Sequence, residues 1–298
     1  MKFFSYFITL IFLCILSGIA IFFYGLWYFG KDLPDYKELS KYNPNVVTRI
    51  HAGNGALLAE YAIQKRVFVP INVIPKKVIN AFISAEDKDF YNHFGIDLMA
   101  TLRALITNVK NIGTNKRLIG ASTITQQVAK NFLLTSEMSY ERKIKEAILA
   151  IRIERAFSKN EILELYLNEI YLGFKSYGVA AAALNYFDKS LDNLDLSEAA
   201  FLAALPKAPN NYNPIYKNKQ AIIRRNWVLS QMNKNGFIED EIREIESKKL
   251  INIRKSSGID KGYAPYFTEE VRKILFKNKK IGSKLYTNGY SVRTTLDP

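Results

Sequence analysis

Glu86 closes an apolar, helix-patterned run and is followed by Asp87, Phe90, His93, Phe94 and Gly95. A carboxylate at a helix end is ordinarily a solvated surface group. Packed against Phe90 and Phe94 it would lose hydration, its pKa would rise, and it would suit proton transfer. A second segment, Gly120-Ala121-Ser122-Thr123-Ile124-Thr125-Gln126-Gln127, reads as a small polar turn that opens a helix. Ser122 or Thr123 can cap that helix, and the free N–H groups at such an end also attract phosphate. A third segment, Arg142-Lys143-Ile144-Lys145-Glu146, sets Glu146 at i+4 from Arg142 and i+3 from Lys143. That spacing is either a surface ion pair worth about 0.3 kcal/mol or a cationic patch around a second carboxylate, able to hold a pyrophosphate. His93 reads as a packed or turn-stabilising residue. His51 is the other histidine of the chain, so a histidine-built metal site is not expected.

The elements that must carry these residues are mostly helical. Residues 31–45 read as a linker. Val46–His51 and Leu57–Tyr61 flank Ala52-Gly53-Asn54-Gly55, and Asn-Gly between β-prone runs predicts a hairpin. A short strand is expected over Arg66–Val69, before Pro70. Beyond Pro75, Val78, Phe82, Ile83 and Ala85 form one apolar side of a helix ending near Glu86. Asp97 can cap a second helix over Leu98–Ile112, and a third is expected over Thr123–Leu134. The fourth, Ser139–Phe157, has Ile144, Ala147, Ile148 and Ile151 at core spacing. Ser158 and Glu161 match a capping box for the fifth, whose stripe is Ile162, Leu163, Tyr166, Leu167 and Ile170. Alanine-rich helices follow over Tyr177–Phe187 and Ser197–Leu205. After the Pro206–Pro214 loop come Asn218–Asn233, Glu239–Lys249 and Pro265–Lys277, and Gly289–Thr295 alternates like a strand.

Phe3–Gly30 holds no charged residue. As a helix it would run about 40 Å, enough to cross a bilayer. A cleaved signal peptide would have a shorter apolar core. Here the apolar run continues past Gly18 to Trp27-Tyr28-Phe29, in the manner of an interfacial aromatic belt. An uncleaved single-pass anchor with the bulk of the chain outside the plasma membrane is the expectation. The one cysteine, Cys14, falls inside this run, so the rest of the chain must fold without a disulfide. Lys and Arg number 42 against 28 Asp and Glu, a formal charge of +14. That surplus favours anionic partners such as lipid surfaces and lipid pyrophosphates. With no zinc spacing, aromatic RNA-binding signature or helix-turn-helix signal, nucleic acid is not an expected partner.

Five segments occur in a set order: Glu86-Asp87-x-x-Phe90-x-x-His93-x-Gly95, Gly120-x-Ser122-Thr123-Ile124-Thr125-Gln126-Gln127, Arg142-Lys143-x-x-Glu146, Tyr166-Leu167-Asn168-x-Ile170-Tyr171-x-Gly173 and Arg224-Arg225-x-x-Val228-Leu229. This set resembles the five motifs of the peptidoglycan glycosyltransferases (family 51), the domain found in class A penicillin-binding proteins. The resemblance covers roughly residues 70–235. It implies a mainly α, lysozyme-like glycosyltransferase domain with an N-terminal transmembrane helix and a small β annex, lying on the membrane surface. The organisation it suggests is an anchor over 1–30, linker and short strands over 31–70, the glycosyltransferase over 71–250, and a helix and strand over 251–298 that lead toward a transpeptidase.

The implied substrate is lipid II, added to a growing glycan strand with inversion and release of undecaprenyl pyrophosphate. Glu86 matches the family's general base and Glu146 its second carboxylate. Lys130, Arg142 and Lys143 match positions lining the phosphate site, and Ser122, Thr125 and Gln127 match substrate-cleft positions. Other cell-wall synthesis proteins are further expected partners. Carboxylates beside a pyrophosphate admit Mg²⁺ or Mn²⁺, although no ligand geometry is readable. The transpeptidase half needs Ser-x-x-Lys and Lys-Thr-Gly, and neither occurs in these 298 residues. A truncated or fragmentary form of a bifunctional parent is therefore expected, one that polymerises glycan without cross-linking it. The nearest rivals are a lysozyme-like hydrolase, which would not need the cationic cluster, and a non-catalytic membrane scaffold.

Overall fold

The computed structural model describes residues 2–41, 47–61, 65–114, 119–134, 139–253 and 264–298. Parts of the expected linker (42–46) and of the C-terminal segment (254–263) lie outside the described residues. The chain divides into two units, Met1–Lys41 with Asn92–Ser158, and Tyr42–Tyr91 with Lys159–Pro298.

The first unit is helical. Helix α1 runs Lys2–Gly30 and is, among the described residues, the one helix long and apolar enough to cross a membrane. Its last carbonyl, Gly30 O, accepts from Arg152 Nη2 at 3.1 Å, which satisfies an orphan group at the helix end. Lys31 then lies over the faces of Trp27 and Tyr28. Helix α3 (Leu98–Lys110) is capped by Asp97, whose side chain accepts from Ala100 N at 2.8 Å. Helices α4 (Ile124–Leu133) and α5 (Tyr140–Ala156) pack together, burying Ile124, Val128 and Ala129 with Leu149, Ala150 and Ile153. Ser139 caps α5 through Arg142 N.

One expectation for this unit needs correcting. The α5 core stripe was placed on Ile144, Ala147, Ile148 and Ile151. In the structure Ile144 is exposed and Glu146 is buried instead. The reason is electrostatic, because Arg142 and Lys143 neutralise that carboxylate and remove most of the penalty for burying it. Phe94, one of the rings on which Glu86 could have packed, is 85% exposed.

The second unit holds the larger core. Helix α2 (Lys76–Glu86) packs on α8 (Leu196–Ala204) and α9 (Asn218–Lys234). Val78, Phe82, Ala199, Ala203, Val228 and Leu229 are fully enclosed there, and the alanines of α8 permit close helix approach. Each large apolar side chain so enclosed contributes about 1.5–3 kcal/mol. Helix α6 (Lys159–Glu169) buries its expected stripe, and α7 (Val179–Phe187) contributes Tyr186 and Phe187 to an aromatic cluster with Phe201. Helices α10 (Asp240–Lys248) and α11 (Pro265–Lys277) follow.

The expected hairpin is present, with β1 (Thr48–His51) antiparallel to β2 (Leu57–Tyr61). The strand expected over Arg66–Val69 does not form there: β3 is Lys65–Arg66, parallel to β4 (Ser176–Tyr177), and residues 67–70 are not a strand. The late strand β5 (Ser291–Arg293) runs parallel to β1, giving the order β2-β1-β5. Its apolar side, with Ile50 and Leu58, packs against Phe267, Val271 and Leu275 of α11.

Candidate functional site

Glu86 is the last residue of α2, and the loop entering that helix is held from α6. Asn168 Nδ2 donates to Val69 O at 2.9 Å while its Oδ1 accepts from Val69 N at 2.8 Å. Glu164 accepts from Ile71 N at 2.7 Å. An amide that pairs with a backbone as a strand would needs an equally rigid partner at its own main chain. Gly178 supplies the close approach there: it sits at φ +81, and a Cβ would lie 2.6 Å from Asn168 O. The tyrosine-asparagine motif therefore acts through position, by fixing the entry to the helix that ends in Glu86.

Around Glu86 the side chain is half-buried, while Asp87 and Phe90 are buried. Lys159 lies over the Phe90 ring at 4.6 Å. Two helices supply further polar groups. Burial, then the charges of Glu86 and Asp87, hold the Tyr166 phenol well above its usual range. Burial draws the Arg224 guanidinium down, whereas Tyr212 and Glu86 act on it in the opposite sense. Its neighbour Arg225 is fully enclosed and bonds Ser197 Oγ, Ser247 O at 3.1 Å and Lys249 O at 2.8 Å, a structural tie between α8, α9 and the end of α10. The two arginines of the fifth motif thus divide into one that locks helices and one within electrostatic reach of Glu86. Neither Tyr166 nor Arg224 stood out from the sequence as a site residue. Their place in the fourth and fifth motifs was the one signal available.

The other expected site residues lie in the first unit. Thr123 caps α4 through a reciprocal capping box with Gln126, and its hydroxyl also donates to Gly95 O at 2.6 Å. Gly95 stands at φ +89, and a Cβ there would lie 2.6 Å from Ala150 O, so the turn joins α4 and α5 only with glycine. His93 Nδ1 accepts from Gly95 N at 3.1 Å, the turn-stabilising role. Ser122 precedes the cap and stays partly open. Lys143 Nζ donates to Ser122 Oγ at 3.0 Å and also pairs with Glu146. Arg142 Nη1 meets Glu146 Oε1 at 2.8 Å. Glu146 is 1% exposed, whereas the Lys143 side chain is 49% exposed. The pair is therefore anchored on its acidic side and open on its cationic side, as suits binding an external anion.

Gln127 and Lys130 occur on α4 four and seven residues after the cap, on the same side of the helix, and both are partly open. Thr125 is different. It is fully buried and its hydroxyl donates to Glu154 Oε1 at 2.6 Å, so it contacts α5 rather than an open surface. Among the described residues no group of three His, Cys, Asp or Glu side chains is placed to share a metal. Glu146, already matched by two cations, is a poor donor for a resident divalent ion.

Comparison with known proteins places this geometry in context. The transglycosylase family model matches residues 54–233. A penicillin-binding protein 1A of Rickettsia bellii is 46% identical over 285 residues, which is 96% of this chain and 36% of the relative. The penicillin-binding protein 1A of Escherichia coli K12 is 42% identical, over 99% of this chain and 34% of its own length. A crystal structure of penicillin-binding protein 1A from Haemophilus influenzae superposes with a TM-score of 0.50 at 30% identity, covering 85% of this chain and 27% of that one. The chain thus spans about a third of the length of the curated relatives it matches.

Proposed function

The chain belongs to the transglycosylase family, and from that premise we propose that it is a peptidoglycan glycosyltransferase that extends glycan strands from lipid II. The observation that carries the reading is the Ser122–Lys143–Glu146–Arg142 chain of contacts, which presents cations on a buried acidic base. A hydrolase releasing a sugar hydroxyl has no use for such a site, whereas a leaving pyrophosphate does.

In the reaction, the 4-hydroxyl of the incoming sugar attacks the anomeric carbon at the end of the growing strand. A carbon–oxygen bond forms and the bond from that carbon to the pyrophosphate oxygen breaks, with inversion. The electron pair leaves on the lipid pyrophosphate. The hydroxyl is a very weak acid, and Glu86 takes its proton as the bond forms. The pyrophosphate needs neutralisation rather than protonation, and Lys130, Arg142 and Lys143 provide it. Glu146 keeps the two cations of α5 in place. Ser122 and Gln127 bind at the open start of α4, and Thr125 positions that helix through Glu154. A divalent ion, where it takes part, arrives on the pyrophosphate rather than from a protein cage.

We read α1 as a membrane anchor, with the folded units outside the cytoplasm. The apolar face of α3 supports a domain resting on the bilayer, since Leu98, Met99, Leu102, Leu105 and Val109 are all exposed. Confinement of enzyme and lipid-linked substrate to one plane raises their effective concentration. The test is a gel assay of glycan strands from labelled lipid II. Glu86→Gln should abolish strand formation and leave the thermal midpoint within about 2 °C of wild type, because the residue ends a helix and is half-open. Full polymerisation by that variant would remove Glu86 from the base role, and inhibition of the wild type by moenomycin is the accompanying control.

A further inference from the structure

Helix α5 carries the anion site at one end and a joint with α1 toward the other. Arg152 Nη2 donates to Gly30 O at 3.1 Å. A Cβ at Gly30 would lie 3.1 Å from that nitrogen, so the guanidinium uses space that glycine leaves open. The chain does not then leave α5. The 3₁₀ turn Tyr36–Lys41 packs against the same helix, with Leu39 buried. The joint therefore has two points, one at the last carbonyl of α1 and one at Leu39. Between them Lys31 Nζ lies 5.8 Å from the centre of the Trp27 ring and 5.2 Å from that of Tyr28. A cation over two amphipathic rings marks the level at which an anchor helix meets headgroups. The same turns of α5 hold two more elements. Ala150 O backs the Gly95 turn, and Glu154 Oε1 accepts from Thr125 Oγ1 at 2.6 Å. Arg142, Lys143 and Glu146 stand nearer the start of that unbroken helix. At about 1.5 Å per residue, Arg142 is about 15 Å along the axis from Arg152.

We propose that Arg152 is a positioning residue, which couples the anchor to α5 and so sets the height of the cationic site over the bilayer at the level of a lipid-linked pyrophosphate. This rests on reading α1 as an anchor and Arg142 and Lys143 as the pyrophosphate site. Arg152 acts through α5 and not on substrate. A tether would need none of these contacts, because confinement to the membrane follows from α1 alone. A phosphate joined directly to a lipid chain lies in the headgroup layer, about 5–7 Å thick. Tilting α5 by about 20° about the joint moves Arg142 by about 5 Å. That is nearly the depth of the layer, so a loose joint carries the cations in and out of reach. A fixed joint holds them at one depth, and less ordering is left for substrate binding to impose. Helix α3, in the same unit, supplies a second footing through exposed Leu102, Leu105 and Val109.

Height is measurable without reference to activity. Tyr140 is 93% exposed and opens α5 just before Arg142. Tyr140→Cys with Cys14→Ser gives a single fluorophore site in the full chain, reconstituted in vesicles of phosphatidylcholine and phosphatidylglycerol. Lipid spin-labelled at the headgroup should quench that fluorophore strongly. Arg152→Ala should lower the quenching by about half, and Arg152→Lys, which keeps a donor, should restore most of it. A Gly-Ser-Gly-Ser insertion between Lys31 and Asp32, both exposed, loosens the second point and should act like Arg152→Ala. Polymerisation gives the second readout. For lipid II in vesicles, Arg152→Ala should raise KM about fivefold with kcat within about twofold. With a short-chain, water-soluble analogue both constants should stay within about twofold, whereas a damaged fold would slow both substrates alike. Weak quenching in the parent, quenching that neither change alters, or an equal loss on both substrates overturns the proposal. Should Arg152→Ala fail to fold, the insertion decides, since it replaces no packed residue. The readings fail separately. A chain that does not float with vesicles sinks the anchor and the joint together. Quenching that shifts as expected in a chain that polymerises nothing sinks only the glycosyltransferase reading.

Discussion

Glu146 shows how one spacing is compatible with two environments. Its spacing from Arg142 and Lys143 is that of an ordinary surface pair, yet the carboxylate is buried and both cations converge on it. Coulomb attraction between such groups strengthens as water is excluded, and the cost of removing one partner rises with it. Glu146→Gln should therefore do two things. Stability should fall by about 1–3 kcal/mol, less than for a wholly enclosed pair because Lys143 is half-open to solvent. Turnover should fall steeply, because Arg142 and Lys143 lose the group that holds them. Thermal melts and initial polymerisation rates on the same preparation measure both, and an unimpaired rate would separate Glu146 from the chemistry. Thr125 carries the opposite lesson. The family resemblance matched it to a substrate-cleft position, and in the structure its hydroxyl is turned inward onto Glu154.

Among the elements, the start of α4 does the most with the fewest residues. Thr123 serves as cap, as half of a capping box and as the donor to Gly95 O. That last bond ties the α4 terminus to the turn that Gly95 makes against Ala150 of α5, and so fixes Ser122 beside Lys143. Thr123→Ala removes all three roles and should cost about 2 kcal/mol, the upper end for a lost cap. Thr123→Ser keeps the oxygen and should recover most of that loss. Chemical denaturation of the three proteins checks the ranking. The cap was legible from Gly120 to Gln127, although whether Ser122 or Thr123 made it was not. Both residues can accept from the next turn, and only the third dimension shows which of them has a second acceptor to reach.

For the molecule as a whole, the proposed membrane setting is tested at its surface. A charge of +14 and the apolar surfaces of α1 and α3 all favour a bilayer with anionic headgroups. Leu102→Asp with Leu105→Asp removes apolar area from α3 without opening a core, since both residues are exposed. The thermal midpoint should stay within about 2 °C of wild type. KM for lipid II in vesicles should rise several-fold, and in detergent micelles it should change little. An equal rise in both would mean that α3 handles substrate directly rather than resting on lipid.

The order of helices, the membrane-length run, the hairpin around Asn54 and the cationic pairing with Glu146 were all determined by local sequence. Each rests on periodicity, capping or i+3 and i+4 spacing, which act within a few residues. Tertiary structure alone decided the rest. It paired β5 with β1 across more than two hundred residues, buried Glu146 while exposing Phe94, and enclosed Tyr166 and Arg225 between helices distant in the sequence. Those outcomes depend on which faces of distant helices exclude water together, and no short stretch of chain encodes them.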